Sequence, residues 1–238
     1  MGKSFFQFKQ FRIDQGRSAM KVCTDACLFG ASIPTIGKQK ILDVGCGTGL
    51  LSLMMAQQNS LSQIDAIEPH EGSFLDAQFN VSQSLWADRI KVFQKKFQEW
   101  LPDHSGLYDV VVCNPPFFFN HLLSPQNSRN QALHLNDTEW NDWLLGLSGF
   151  LKRTGRLWLL LSPGSWQKTE LLLRKLSFYP FEIQTILQKN DKPFRVIAGI
   201  STAVLEPVNF KTHNVYRAEG RLSEWAEKLL SEFYLDKV

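Results

Sequence analysis

The stretch Lys40-Ile41-Leu42-Asp43-Val44 is a short apolar run. It breaks into Gly45-Cys46-Gly47-Thr48-Gly49 and resumes at once as Leu50-Leu51-Ser52-Leu53-Met54-Met55. A buried strand that passes into an apolar helix through three alternate glycines restricts the fold more than any other part of the chain. The glycines let the backbone turn tightly and approach a ligand where a Cβ would block the approach or the dihedral angles.

The same alternation continues downstream. Strands are expected over Lys40 to Val44, Gln63 to Glu68, Ile90 to Phe93, Asp109 to Cys113 and Arg156 to Leu161, and helices over Leu50 to Gln58, Glu71 to Leu85, Thr138 to Leu151 and Ser165 to Leu176. Two long strands, Phe181 to Leu187 and Val196 to Leu205, then precede a helix over Leu222 to Tyr234. Strands separated by helices imply βαβ units and a parallel sheet. The last two strands have no helix between them and are expected to pair antiparallel. The reading is an α/β fold with a seven-stranded, mostly parallel sheet, an antiparallel last strand and helices on both faces. Upstream, residues 1–20 alternate aromatic and basic side chains and predict a short hairpin outside that sheet, and Thr24-Asp25 is placed to cap a short helix.

A second motif, Asn114-Pro115-Pro116-Phe117, ends the strand Tyr108-Asp109-Val110-Val111-Val112-Cys113. Consecutive prolines hold the chain extended and leave nearby carbonyls free to face a ligand. The Asn114 side-chain carbonyl and the Pro115 backbone carbonyl form a pair of acceptors for one NH₂ group, and Phe117 offers a face for stacking a planar base. A glycine turn of this kind serves NAD, FAD or S-adenosylmethionine. Asp43 suits the ammonium of a methionine moiety and repels a pyrophosphate, and the spacing GxGxG lacks the gap of GxGxxG, so the last is favoured. Glu68, at the end of the next strand, is placed to accept ribose hydroxyl hydrogens. Together the motifs point to methyl transfer to an exocyclic nitrogen.

Composition limits the rest. The chain has 238 residues, enough for one large domain, and the net charge of +3 permits an RNA partner without requiring one. Cys23, Cys27, Cys46 and Cys113 match no common zinc pattern and read as reduced thiols of a cytoplasmic protein, so no metal is expected. No apolar run approaches a membrane span, and no signal peptide is expected.

The two motifs resemble those of class I S-adenosylmethionine-dependent methyltransferases of the amino-nitrogen type, which have a Rossmann-like fold. Phe6-Gln7-Phe8-Lys9-Gln10-Phe11, Ala19-Met20-Lys21-Val22-Cys23-Thr24-Asp25 and Phe233-Tyr234-Leu235 narrow the resemblance to the bacterial tRNA1(Val) adenine-37 N6-methyltransferase family, over nearly the whole chain. The resemblance implies a tRNA substrate and one catalytic domain over residues 1–238, its first 36 residues covering the cofactor and substrate mouth. No obligate protein partner is implied. It further implies that Lys21, Thr24 and Asp25 line the methionine end of the cofactor, that Asp43, Gly45, Gly47, Gly49 and Glu68 hold the rest, and that Asn114 to Phe117 form the catalytic turn.

Two positions depart from the family. Lys96 stands where many relatives carry the acid that receives the cofactor's adenine amine, so either that end is held differently or Lys96 points to solvent. Phe117 lacks the hydroxyl of the more usual tyrosine and keeps the stacking face. Asn-Pro-Pro-Phe also serves DNA adenine, rRNA guanine and protein glutamine methyltransferases, and an RNA-binding protein on the same scaffold is the non-enzymatic alternative. Lys3, Lys9, Arg12, Arg17 and Lys21, interleaved with Phe5, Phe6, Phe8 and Phe11, make a candidate RNA surface. Packing of those aromatics on the domain body is the competing reading.

Overall fold

The structure, a computed structural model, describes residues 4–37, 39–115, 137–188 and 191–235, with backbone alone for 137–139. The expected N-terminal hairpin is present: β1 (Phe5–Gln7) pairs antiparallel with β2 (Arg12–Asp14) in a sheet of its own. Helix α1 (Thr24–Ser32) follows. The remaining elements are β3 (Lys40–Val44), α2 (Leu50–Gln58), β4 (Gln63–Ile67), α3 (Glu71–Ser82), β5 (Ile90–Phe93), α4 (Phe97–His104) and β6 (Tyr108–Cys113). After these come α5 (Asp137–Gly149), β7 (Leu151–Leu161), α6 (Pro163–Lys175), β8 (Tyr179–Leu187), β9 (Pro193–Ser201), β10 (Asn209–Asn214) and α7 (Glu224–Leu230).

Strands β3 to β10 form one sheet in the order β10-β8-β9-β7-β6-β3-β4-β5. Neighbours from β7 to β5 run parallel. Strand β9 runs against both β7 and β8, and β10 adds parallel to β8. The seven strands expected from the sequence are therefore eight among the described residues, and the antiparallel strand is not the last. Asn209–Asn214 has no apolar run to announce it. It is a largely exposed edge strand, held through its backbone ladder to β8 from Asn209↔Glu182 to Asn214↔Leu187.

Further boundaries differ, among them α3, which ends at Ser82 and not Leu85, β9, which is Pro193–Ser201 and not Val196 to Leu205, and α7, which is Glu224–Leu230 and not Leu222 to Tyr234. Helix α4 was not foreseen; it is short, buries Trp100 and carries Pro102, so its periodicity is weak. Residues 152–155, left between the expected helix and strand, lie within β7. Between Tyr108↔Leu151 and Val110↔Arg156 the register shifts, so the extra residues of β7 bulge outward. A Cβ on Gly155 would come within 2.9 Å of the Tyr108 carbonyl oxygen. Helix α1 begins at Thr24 with Cys23 at its N-cap, and no side chain caps it.

Alternate residues on each strand feed opposite faces of the sheet. Ile41, Val110, Val112, Trp158, Leu160 and Ile197 pack with α1, α2 and α7. Leu42, Val44, Val111, Leu157, Leu159 and Ala198 pack with α4, α5 and α6. Each Val, Leu or Ile among them contributes about 1.5–3 kcal/mol on burial. Together they fix which residues can stand at the carboxyl ends of the strands.

The N-terminal segment is laid across this frame by buried polar groups. Asn80 of α3 accepts from the Asp14 amide at 2.8 Å and donates to the Asp14 and Thr48 carbonyls at 2.8 and 3.0 Å. Asp76, one turn earlier, takes the amides of Arg17 and Ser18, each at 2.9 Å, and the Arg17 guanidinium at 3.1 Å. The two termini also meet. The Lys9 amide donates to the Phe233 carbonyl at 2.7 Å, and Tyr234 lies against Phe6 and Phe8 with ring centroids 5.7 and 5.9 Å apart.

Candidate active site

The carboxyl ends of adjacent strands β3 and β6 bring the two sequence motifs side by side, with Val44 level with Cys113. In an open α/β sheet this is the edge at which ligands bind. Gly45, Gly47 and Gly49 all have positive φ, at 70°, 57° and 81°, the region that favours glycine. A Cβ built on Gly45 or Gly47 meets nothing within 4 Å, whereas one on Gly49 packs against Ala77 at 3.5 Å. The first two glycines thus border open space, and the third seats α2 against α3.

Asp43 is fully buried. Its Oδ2 accepts from the Ser52 amide at 3.1 Å and the Ser52 hydroxyl at 2.7 Å. The Ser52 amide lies in the first turn of α2, where backbone donors lack helical partners. Asp43 Oδ1 has no hydrogen-bond partner among the described residues. Burial raises the carboxyl pKa from 3.8 to about 7; the two Ser52 bonds oppose that rise, and repulsion from Glu68 adds to it. Glu68 is also buried. It accepts from the Gly47 amide through Oε2 and from the His70 amide through Oε1, each at 2.9 Å. Each oxygen keeps acceptor capacity for a further donor.

Asn114 follows β6 directly and is half-buried, and its Oδ1 is a buried acceptor without a partner among the described residues. Pro115 is buried behind it. Pro116 and Phe117 lie outside the described residues, as does Lys3. The thiols of Cys46 and Cys113 are pushed well up by burial, with Asp43 and Glu68 adding to the rise. They are packing groups, not nucleophiles. Among the described residues no group of three His, Cys, Asp or Glu is placed to hold a metal, and no helix is long and apolar enough to cross a membrane.

The N-terminal candidates are engaged within the chain. Lys21 Nζ donates to the carbonyls of Gln15 and Ser18. Thr24 is hydrogen-bonded to Tyr234. Asp25 is buried and pairs with Arg195 of β9 at 2.8 Å. Lys96, at the N-cap of α4, is exposed, so the solvent-pointing alternative is the one observed. Of the N-terminal aromatics, Phe8 and Phe11 are buried, Phe6 is half-buried, and Phe5 is exposed beneath the Arg12 guanidinium at 3.9 Å. They serve chiefly as core, so of the two readings open for these aromatics the structure favours packing on the domain body. Ser52, Asp76, Asn80 and Arg195 were not singled out from the sequence. Asp76 and Asn80 carried a signal, a polar i, i+4 pair beside Ala77 and Val81 on the buried side of α3. Arg195 carried none.

A cationic methionine derivative fits these residues. Two buried carboxylates stand close together, one with an orphaned oxygen, and the glycine turn leaves room where side chains would fill it. Similarity to known proteins agrees. A family model described as methyltransferase small domain matches residues 17–132. The fold is shared with the crystal structure of a predicted O-methyltransferase from Agrobacterium tumefaciens, with a TM-score of 0.68 at 16% identity over 87% of this chain and 96% of that one. The fold and site define a class I S-adenosylmethionine-dependent methyltransferase. Over 97% of both chains the sequence is 36% identical to a tRNA1(Val) (adenine(37)-N6)-methyltransferase of Dyadobacter fermentans. Over 99% of both it is 35% identical to the one from Parabacteroides distasonis. The chain belongs to the tRNA1(Val) (adenine(37)-N6)-methyltransferase family.

Proposed function

We propose that this chain transfers a methyl group from S-adenosylmethionine to N6 of adenine 37 in tRNA1(Val), as a single catalytic domain whose residues 1–36 cover the mouth of the site. The observation that carries the reading is the orphaned Oδ1 of Asn114, set beside the glycine turn. A buried acceptor left without a donor costs free energy that an incoming NH₂ group restores.

Asn114 Oδ1 and the Pro115 carbonyl take the two hydrogens of the adenine amine. Held this way, the conjugated nitrogen becomes more pyramidal and its lone pair is directed out of the ring plane. The bound cofactor supplies an electrophilic methyl on a sulfonium, so the protein's share is alignment and electrostatics. Gly45 and Gly47 leave space for the cofactor, Glu68 accepts from the ribose hydroxyls, and Asp43 faces the positive methionine end. Lys21, Thr24 and Asp25 hold the covering segment and α1 in place around that end, and Gly49 seats the turn. Pro115 and Pro116 keep the acceptor pair rigid, and Phe117 stacks the base. The amine's proton leaves to solvent during or after transfer. Four free cysteines and an RNA substrate support a cytoplasmic place of action.

The test is methyl transfer from labelled cofactor to an unmodified tRNA1(Val) transcript, followed by nucleoside analysis. N6-methyladenosine is expected, and it should vanish when adenine 37 of the transcript is replaced by guanine. Label found in protein glutamine, or transfer that persists on the substituted transcript, overturns the assignment.

A further inference from the structure

Some cations around the carboxyl edge of the sheet are already engaged within the chain. Arg17 is bound by Asp76, Lys21 by backbone carbonyls and Arg195 by Asp25. At the opposite end of the sheet, Lys40 pairs with Asp65 at 3.5 Å and Lys152 with Asp109 at 2.8 Å. Exposed Lys192, in the β8–β9 turn, stands apart on the other side of β6, and Lys95 and Lys96 form an adjacent pair in the turn from β5 to α4. Both members of this pair are exposed, and among the described residues neither side chain has an ion pair or a hydrogen bond.

Local structure gives these two lysines no use. Lys96 stands at the N-cap of α4 without a capping bond, a place that favours Ser, Thr, Asp or Asn and disfavours a cation. The exposed acids Glu71 and Glu99 occupy the first turns of α3 and α4, where helices favour them. Exposed Lys91, within β5, is explained by its position, since a lysine on an edge strand discourages pairing with other chains. Lys95 and Lys96 lie beyond the ladder, where that protection is not needed. They project instead at the edge that carries Asn114. Strand β5 is three positions from β6, so the turn stands about 14 Å along the edge from the catalytic turn, at ~4.8 Å per strand.

We propose that the Lys95–Lys96 turn is a phosphate-binding part of the RNA interface, holding the substrate backbone to one side of the base presented to Asn114. This rests on the proposed tRNA substrate. Its partner is an RNA backbone near the extruded adenine, read by charge and not by base identity. The bordering side chains are Gln94, Gln98 and His70, all exposed, which suits contact with phosphate and sugar.

The test compares the wild type with a Lys95→Gln/Lys96→Gln double variant and a Lys91→Gln control. Binding of the tRNA1(Val) transcript is measured across a potassium chloride series, alongside steady-state methylation and calorimetric cofactor binding. The double variant is expected to lose about 1.4–1.8 from the salt slope, at 0.7–0.9 per phosphate contact. Its KM for tRNA should rise several-fold, with kcat at saturating tRNA and cofactor affinity unchanged. Lys91→Gln should match the wild type. A double variant with wild-type slope and KM overturns this interface and leaves the proposed reaction standing. Equal losses in Lys91→Gln would also overturn it, by showing a general charge effect. A wild type that methylates no RNA removes the proposed reaction, while the slope comparison still reads the interface.

Discussion

Asp43 holds the least comfortable charge among the residues of the site. Its carboxyl is buried with one oxygen unpaired, and its pKa rises to about 7. Between about pH 4 and 7 the folded chain therefore keeps a proton that the unfolded chain has released. Stability from this group falls as pH rises through that window and levels off above it. Asp43→Asn removes the penalty. Relative to the wild type it should gain up to about 4 kcal/mol between pH 4 and pH 8, measured by urea titration at each pH. The same variant should bind S-adenosylmethionine more weakly at pH 8, so stability and cofactor affinity move in opposite directions. A variant that shows no pH-dependent gain would mean that Asp43 is solvated in the folded state. Asn114→Ala acts on the other motif. Loss of one preorganised acceptor should cost about 3 kcal/mol of barrier, or ~10² in kcat, with cofactor affinity intact. Single-turnover methylation reads it directly, and near-normal chemistry would remove Asn114 from the reaction. These residues were legible in the sequence because each ends an apolar strand with a residue type that a strand end does not need. Asp25 and Lys21 were legible only through family resemblance. Their partners, Arg195 and the Gln15 and Ser18 carbonyls, lie where no local pattern points.

Among the elements, the short segment from Gln15 to Val22 depends on α3 in a way that composition does not reveal. Asp76 takes two backbone amides and a guanidinium from it, and the Gln15 side chain accepts from the Val22 amide at 2.8 Å. Asp76→Ala leaves those amides without their acceptor and should cost about 2–3 kcal/mol. Because the segment passes over the first turns of α3, the loss should also appear as faster amide exchange at Arg17 and Ser18 than in the rest of the chain. Uniform exchange across the chain would count against a local latch. The alternation of strands and helices from Lys40 to Leu161 was legible because buried parallel strands are short apolar runs between amphipathic helices. The elements that were missed share one cause. Helix α4 and strand β10 are held by neighbours, Trp100 in the core for one and the β8 ladder for the other. Their own residues have too little apolar pattern to announce them. The start of β7 was placed at Arg156 for a related reason, since Gly155 interrupts the apolar run while the pairing with β6 keeps the chain in the sheet.

At the scale of the whole molecule, the first and last described residues close on each other. Phe233 is 2% exposed, and its carbonyl receives the Lys9 amide. Phe233→Ala should lower stability by about 3 kcal/mol through the cavity it leaves, and the loss should be visible in denaturant unfolding. The catalytic sheet does not include this residue, so methylation at low temperature should survive. Loss of all activity with an intact fold would instead tie the C-terminal contact to the chemistry. The closure also sets an order of events during synthesis. Strands β3 to β7 have all their partners except β9 once residue 161 has left the ribosome. The hairpin of Phe5 to Asp14 meets Phe233 and Tyr234 only once those residues are made, whereas residues 14–18 find Asp76 and Asn80 of α3 much earlier. Up to residue 233, a nascent chain therefore carries a hairpin held at its Asp14 end and loose at Phe6 to Lys9. A chain stalled on the ribosome before Phe233 should yield residues 5–12 to protease, and one stalled after a linker long enough to clear the tunnel should protect them.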